Sequence, residues 1–160
     1  MPNPWDGASS VILAREGFSA LASTSAGLAF GMVLPDAAAA LGLEVSVQHA
    51  AMIARPTGLP VNGDLEDGFG LSPEDCALTV EALIAAGLAG LGIEDTSANP
   101  DHPIHDFDHA VARIAAAAKA AKGRILLIAR TDNYLRGRPD LPPGRLRTSG
   151  GGCALRARRV

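Results

Sequence analysis

A chain of 160 residues has room for one domain, and its 48% hydrophobic and 19% charged residues suit a packed globular protein, not a disordered segment or a coiled coil. No apolar run reaches the roughly 18 to 20 residues of a membrane-spanning helix, and the opening MPNPWDG lacks the pattern of a secretory signal, so a soluble, cytoplasmic protein without a membrane partner is expected. Cys76 and Cys153 show no metal or disulfide spacing, and 4% aromatic residues argue against base stacking on single-stranded nucleic acid.

In chain order, Ala8 to Glu16 reads as a short helix behind Ser9 and Ser10 and stopped by Gly17. Phe18 to Ser23 reads as a buried strand opening into the polar loop Thr24, Ser25, Ala26, Gly27. A second helix is expected over much of Ala37 to Arg55, with His49 on its surface. A strand from Leu59 to Glu66 follows, then the loop DGFGLSPED, where Ser72 caps and Pro73 opens a helix to about Ala86. Leu88 to Asp95 is the next strand, TSANPDHPIHD a polar loop, Phe107 to Lys122 a helix stopped by Gly123, and Arg124 to Thr131 the last strand. Strand and helix alternate about every 30 residues, the pattern of βαβ units around a parallel sheet.

In such folds the carboxyl ends of the strands form the face where chemistry is done. Asp36 follows the first strand, Asp64 and Glu66 end the second, Glu94 and Asp95 the third, Arg130 and Asp132 the fourth. Strand alternation would put Asp64 and Glu66 on one face, with Glu94 at the same height on the neighbouring strand, so three carboxylates can converge. Such a convergence is unfavourable without a cation, and an all-oxygen donor set suits Mg²⁺ or Mn²⁺ over zinc. Solvated acids at helix N-termini are the alternative, which suits Glu74, Asp75 and Asp95 better than Asp64. His102, His105 and His109 read as a polar gating loop with Asp106 as N-cap in preference to a metal cluster, Cys76 as a small structural cysteine in preference to an activated thiol at a helix start, and Trp5 as core packing in preference to lining a pocket.

The ordered segments NPWDGASSVILAREGFSALASTSAGLAF, LPD, LPVNGDLEDGFG, GLAGLGIED and ILLIARTDNYLRGRPDL, spanning residues 3 to 141, resemble the isocitrate lyase / phosphoenolpyruvate mutase family. That resemblance implies a (β/α)8 barrel that binds Mg²⁺ and a small α-keto acid or its enolate, and makes or breaks C–C or P–C bonds. Asp64 would be the direct metal ligand, with Asp36, Glu66 and Glu94 holding its waters. Arg130 would be the catalytic arginine contacting the substrate, and Ser25, Ala26 and Gly27 the loop holding its carboxylate. The family's isocitrate and methylisocitrate lyases carry an acid/base cysteine in the loop after the Glu94 strand; TSANPDHPIHDFDH has none, which turns the reading toward phosphonopyruvate- or oxaloacetate-type substrates. Family members form homo-oligomers.

Such a barrel takes about 250 residues, so this sequence is expected to supply about strands two to five and helices one to four of it, as an incomplete α/β barrel over residues 1–141. Residues 142–160 form an irregular Arg/Gly-rich tail. Residues 1–135 carry sixteen acidic and seven basic side chains, a net −9, whereas residues 136–160 carry seven arginines and one aspartate, a net +6. CALRARRV can be encoded as TGC GCT CTA CGC GCC CGG CGT G.., which one base later reads Ala-Leu-Tyr-Ala-Pro-Gly-Val, like the family's sixth strand. An out-of-frame tail is therefore expected in preference to a basic arm for nucleic acid, and no nucleic-acid partner is assigned. A catalytically inactive family fragment is the second reading of the whole chain and a nucleic-acid-binding module the third.

Overall fold

The computed structural model describes residues 1–36 and 40–137. In chain order the elements are α1 (Gly7–Arg15), β1 (Leu21–Ala22), α2 (Ser25–Gly31), α3 (Leu43–Ala54), β2 (Val61–Asp64), α4 (Pro73–Ala85), β3 (Gly90–Glu94), α5 (Phe107–Ala121) and β4 (Leu126–Arg130). All strand pairs are parallel, in the spatial order β1-β2-β3-β4. Among the described residues, strands neighbouring in sequence are neighbours in the sheet, with no reversal of the kind that marks a doubly wound fold.

The pleat sorts the strand residues into two sets. Val61, Gly63, Leu91, Ile93, Leu127 and Ala129 are buried on the side where α3, α4 and α5 pack, and with Leu21, Ile53, Val80, Leu83 and Ile114 they build the core. Each fully buried Leu or Ile here contributes about 1.5–3 kcal/mol. The alternate residues lie on the opposite face in register: Asn62 beside Gly90 beside Leu126, Asp64 beside Gly92 beside Ile128, and Glu94 beside Arg130. Asp64, Glu94 and Arg130 therefore share the face that these helices leave uncovered.

Several elements differ from the expectation. Asp6, not a serine, caps α1: its carboxylate accepts the Ser9 N–H at 2.7 Å, while Ser9 Oγ accepts the Asp6 N–H at 3.2 Å. Residues 24–27, expected as loop, enter α2, because Thr24 Oγ1 accepts the Gly27 N–H at 3.1 Å and so nucleates a turn. Small hydroxyl residues serve turns and helix caps equally well, which is why the pattern was ambiguous. α3 begins at Leu43, with Gly42 as its extended N-cap. Ser72 and Pro73 open α4 as expected, with a reciprocal capping box to Asp75. His49, expected on a surface, is buried with its Nε2 2.8 Å from the Trp5 carbonyl oxygen, and Trp5, expected in the core, is 60% exposed. Among the described residues no helix is long and apolar enough to cross a membrane. The expected basic tail, residues 142–160, lies outside the described residues.

Candidate functional site

The β1 and β2 exits are stitched together around Asp64. Its Oδ2 accepts hydrogen bonds from the Ser25 N–H and hydroxyl, both at 2.9 Å, and its own N–H donates to Ser23 Oγ at 2.8 Å. Ser23 is placed in turn by its N–H on the Asn62 carbonyl at 2.9 Å. Asp64 Oδ1 has no hydrogen-bond partner among the described residues. One oxygen is fixed and the other stays open, an arrangement that suits a monodentate ligand for a hard cation.

At the next two exits, Glu94 and Arg130 form an ion pair through Glu94 Oε1 and Arg130 Nη2. Arg130 also grips Asp132, Nε to Oδ1 at 2.9 Å, and Thr96 Oγ1 donates to Glu94 Oε2 at 3.3 Å. Glu94 and Asp132 are buried, whereas the Arg130 side chain is 49% exposed, so its guanidinium bridges two sunken carboxylates at the surface. Asp95 ties the exits together by accepting the Asp132 N–H at 2.9 Å.

The expected convergence of three carboxylates is corrected in two respects. β2 ends at Asp64, and Glu66 sits in a turn with φ +48°, so strand alternation no longer sets its direction. The Glu94 N–H bonds the Glu66 carbonyl at 2.7 Å, which puts Glu94 level with Glu66 and one pleat beyond Asp64. Among the described residues no three His, Cys, Asp or Glu side chains gather into a metal-holding group. Like charges separate when other partners are at hand, here Ser25 for Asp64 and Arg130 for Glu94. One direct carboxylate with others set back through water needs no tight trio, and the donors at these exits are hard oxygens that fit Mg²⁺. Asp36 is exposed beyond α2.

Of the expected carboxylate-holding loop, Ser25 is committed to Asp64 and the Gly27 N–H to Thr24, with Ala26 between them in the first turn of α2. The remaining candidates are structural. Cys76 is buried, and burial pushes its thiol above the usual range despite the nearby Arg113. The His105 and His109 rings meet edge to face at 5.0 Å, and His109 Nε2 lies 2.9 Å from the Leu71 carbonyl oxygen. Burial first, then the charges of Arg113 and His109, hold His105 below its ordinary value of 6.5. Asp75 is held below its usual range by the Ser72 backbone and side-chain hydrogen bonds of the capping box. Arg113 escaped the sequence reading; its signal was a cation on the apolar stripe of α5, in line with Ala110, Ile114, Ala117 and Ala121.

Residues 1–147 match the family model for phosphoenolpyruvate phosphomutase. The chain belongs to that family, within the isocitrate lyase / phosphoenolpyruvate mutase superfamily. A Burkholderia cenocepacia structure described provisionally as a lyase/mutase is 43% identical, with a TM-score of 0.83 over 88% of this chain and 50% of that one. Oxaloacetate acetylhydrolase, solved with its product oxalate, is 33% identical with a TM-score of 0.74, over 84% of this chain and 48% of that one. The 2-methylisocitrate lyase of Escherichia coli K12 is 35% identical over 129 residues, 74% of this chain and 42% of that protein. The chain spans 42% to 48% of the curated relatives it matches. Its sequentially ordered parallel sheet thus corresponds to about half of the barrel, the α/β class that the resemblance implied.

Proposed function

We propose that this chain carries the metal and keto-acid residues of a Mg²⁺-dependent lyase, mutase or hydrolase acting on a small α-keto acid of the oxaloacetate or phosphonopyruvate type through an enolate. The observation that carries the reading is the placement of Asp64, Glu94 and Arg130 at the carboxyl ends of three adjacent parallel strands, on the face the helices leave uncovered. Asp64 Oδ1 would hold the cation directly, with Mn²⁺ as a substitute, and Glu66, Glu94 and Asp36 would orient its waters. Mg²⁺ supplies charge neutralisation at the keto and carboxylate oxygens when the bond breaks. Arg130, its Nε and Nη2 held by Asp132 and Glu94, is preorganised to offer its remaining Nη1 to a carboxylate or phosphonate. Ser25 can hold the substrate carboxylate only by giving up a donor to Asp64, so cation and substrate are linked through one hydroxyl. The free, buried Cys76 fits a reducing, cytoplasmic setting.

The test is Mg²⁺-dependent consumption of oxaloacetate and phosphonopyruvate, with Mn²⁺ binding followed by electron paramagnetic resonance and oxalate as the unreactive ligand. Binding of Mn²⁺ that EDTA reverses, with oxalate affinity raised by the metal, is expected. Absence of both overturns the reading. We further propose that the stretch from about residue 142 is read out of frame, which sequencing the gene decides: unrelated codons in an intact frame reject it. The same assays on a frame-restored chain should show turnover well above that of the chain itself.

A further inference from the structure

We propose that Arg113, on α5, is the positioning residue that sets the backbone of the loop of residues 66–72, and through it the place of Glu66 beside the proposed metal site. This rests on the functional reading above for the role of Glu66, but the loop geometry stands on its own.

Arg113 is 1% exposed and takes part in no ion pair among the described residues. Its two Nη groups donate to carbonyl oxygens of one loop, Nη2 to Asp67 and Nη1 to Gly70 at 2.6 Å and Ser72 at 3.5 Å, while its buried Nε has no hydrogen-bond partner among the described residues. Other side chains of α4 and α5 take the carbonyls between, Thr79 Oγ1 donating to Gly68 at 2.7 Å and the His109 ring meeting Leu71 at 2.9 Å. From Asp67 to Ser72 only the Phe69 carbonyl lacks such a hold, and there the Phe69 N–H is held by Asp67 Oδ1 at 2.9 Å.

The loop needs this grip. Glu66 at φ +48° and Phe69 at φ +55° adopt left-handed conformations that disfavour side-chain-bearing residues, and such residues persist where their surroundings over-determine them. Glu66 is also the residue whose carbonyl receives the Glu94 N–H, so a shift of this loop moves the junction between the β2 and β3 exits. A planar guanidinium reaches carbonyls of residues three and five apart at once; an ammonium has three donors but all on one nitrogen at the end of a flexible stem, and cannot reproduce the spread of two Nη groups. A full charge in the core, hydrogen-bonded only to neutral carbonyls and with the Asp75 carboxylate near enough to feel it, is a costly choice for packing alone. Its geometry is accounted for by the task of fixing one backbone.

The experiment compares the full chain with Arg113→Lys, Arg113→Met and Thr79→Val, each confirmed folded by far-ultraviolet circular dichroism, using hydrogen exchange across residues 66–72 and Mn²⁺ affinity by electron paramagnetic resonance. Arg113→Lys should accelerate exchange in the loop while β3 and β4 amides keep their protection. It should also weaken Mn²⁺ binding about tenfold, the usual cost of losing a residue behind a metal ligand. Thr79→Val, which removes one carbonyl hold and leaves the charge in place, should change both readouts in the same direction by a smaller factor. Wild-type exchange and wild-type Mn²⁺ affinity in a folded Arg113→Lys would overturn the proposal. If both arginine variants fail to fold, Thr79→Val decides: unchanged loop exchange rejects the grip. If the unmodified chain binds no Mn²⁺, the functional reading fails instead, and the loop exchange alone judges whether Arg113 positions it.

Discussion

Two loops leave the same end of the sheet and are held in opposite ways. The loop after β2, residues 65–72, is largely buried, and its carbonyls are taken by Arg113, Thr79 and His109 from the helices beneath it. The loop after β3, residues 95–106, is exposed from Ala98 to His102 and holds itself. Thr96 bridges Ile104, the Ser97 N–H bonds the Pro103 carbonyl at 2.9 Å, and the His105 N–H bonds the Asp95 carbonyl at 2.9 Å. A loop gripped by its neighbours presents a residue at a fixed point, whereas a loop closed on itself can move as a unit without disturbing the core. The contrast is between a β2 exit gripped from the helices beneath it and a β3 exit whose loop is closed by its own backbone bonds.

The sharpest break in that contrast comes from the carboxylates that end the two strands. Asp64→Ala should lower Mn²⁺ affinity by more than about a hundredfold and remove Mg²⁺-dependent turnover with it, since a direct ligand counts for more than its supports. Asp95→Ala, which loses the acceptor of the Asp132 N–H, should cost only a few-fold in both assays. Equal losses would place the cation elsewhere.

Arg130→Lys tests the neighbouring exit. The guanidinium holds Glu94 and Asp132 together with a fork that an ammonium cannot copy, so oxalate affinity and turnover should fall by about tenfold or more. Near-normal values would make Arg130 a structural ion-pair residue.

Stability should separate the loops as well. Gly68 has φ +87°, and a Cβ there would come within 3.0 Å of Cys76 Sγ, so Gly68→Ala should destabilise the fold by about 1–3 kcal/mol in urea titration. Asn99→Ala, in the exposed loop, should stay within about 0.5 kcal/mol. A comparable loss at both positions would erase the distinction.

The smallest effect lies where the two regions meet, at His105. Its folded pKa is depressed, by burial first and then by Arg113 and His109, while Asp67 and Asp95 pull it the other way. The unfolded chain then binds the proton more readily, so His105 takes nothing from stability above about pH 6.5 and lowers it as the pH falls below that value. His105→Gln should flatten this part of the stability profile between about pH 7 and 5.5. An unchanged slope would show that the neighbouring acids cancel the effect of burial.

Much of the fold was legible in the sequence because it is written in local patterns. Ser72 and Pro73 announce the start of α4, the apolar runs around Leu91 and Leu127 announce buried strands, and acid at or just past the ends of β2, β3 and β4 announces the candidate edge. The strand ends already singled out Asp64, Glu66, Glu94 and Arg130; the family resemblance added the barrel, the metal roles of Asp64, Asp36, Glu66 and Glu94, and the substrate role of Arg130. What the tertiary structure decided was every contact between elements distant in sequence. Only the folded chain shows that Ser25 is bound to Asp64 across 39 residues, that a turn removes Glu66 from the strand pattern, and that His49 lies buried beneath the Trp5 backbone. Arg113 is the clearest case, because its acceptors lie 41 to 46 residues earlier and a lone cation on an apolar stripe has no partner that a sequence can name. Local propensity is set by neighbours along the chain, whereas satisfaction of a buried polar group depends on whichever backbone the packing of helices brings beside it.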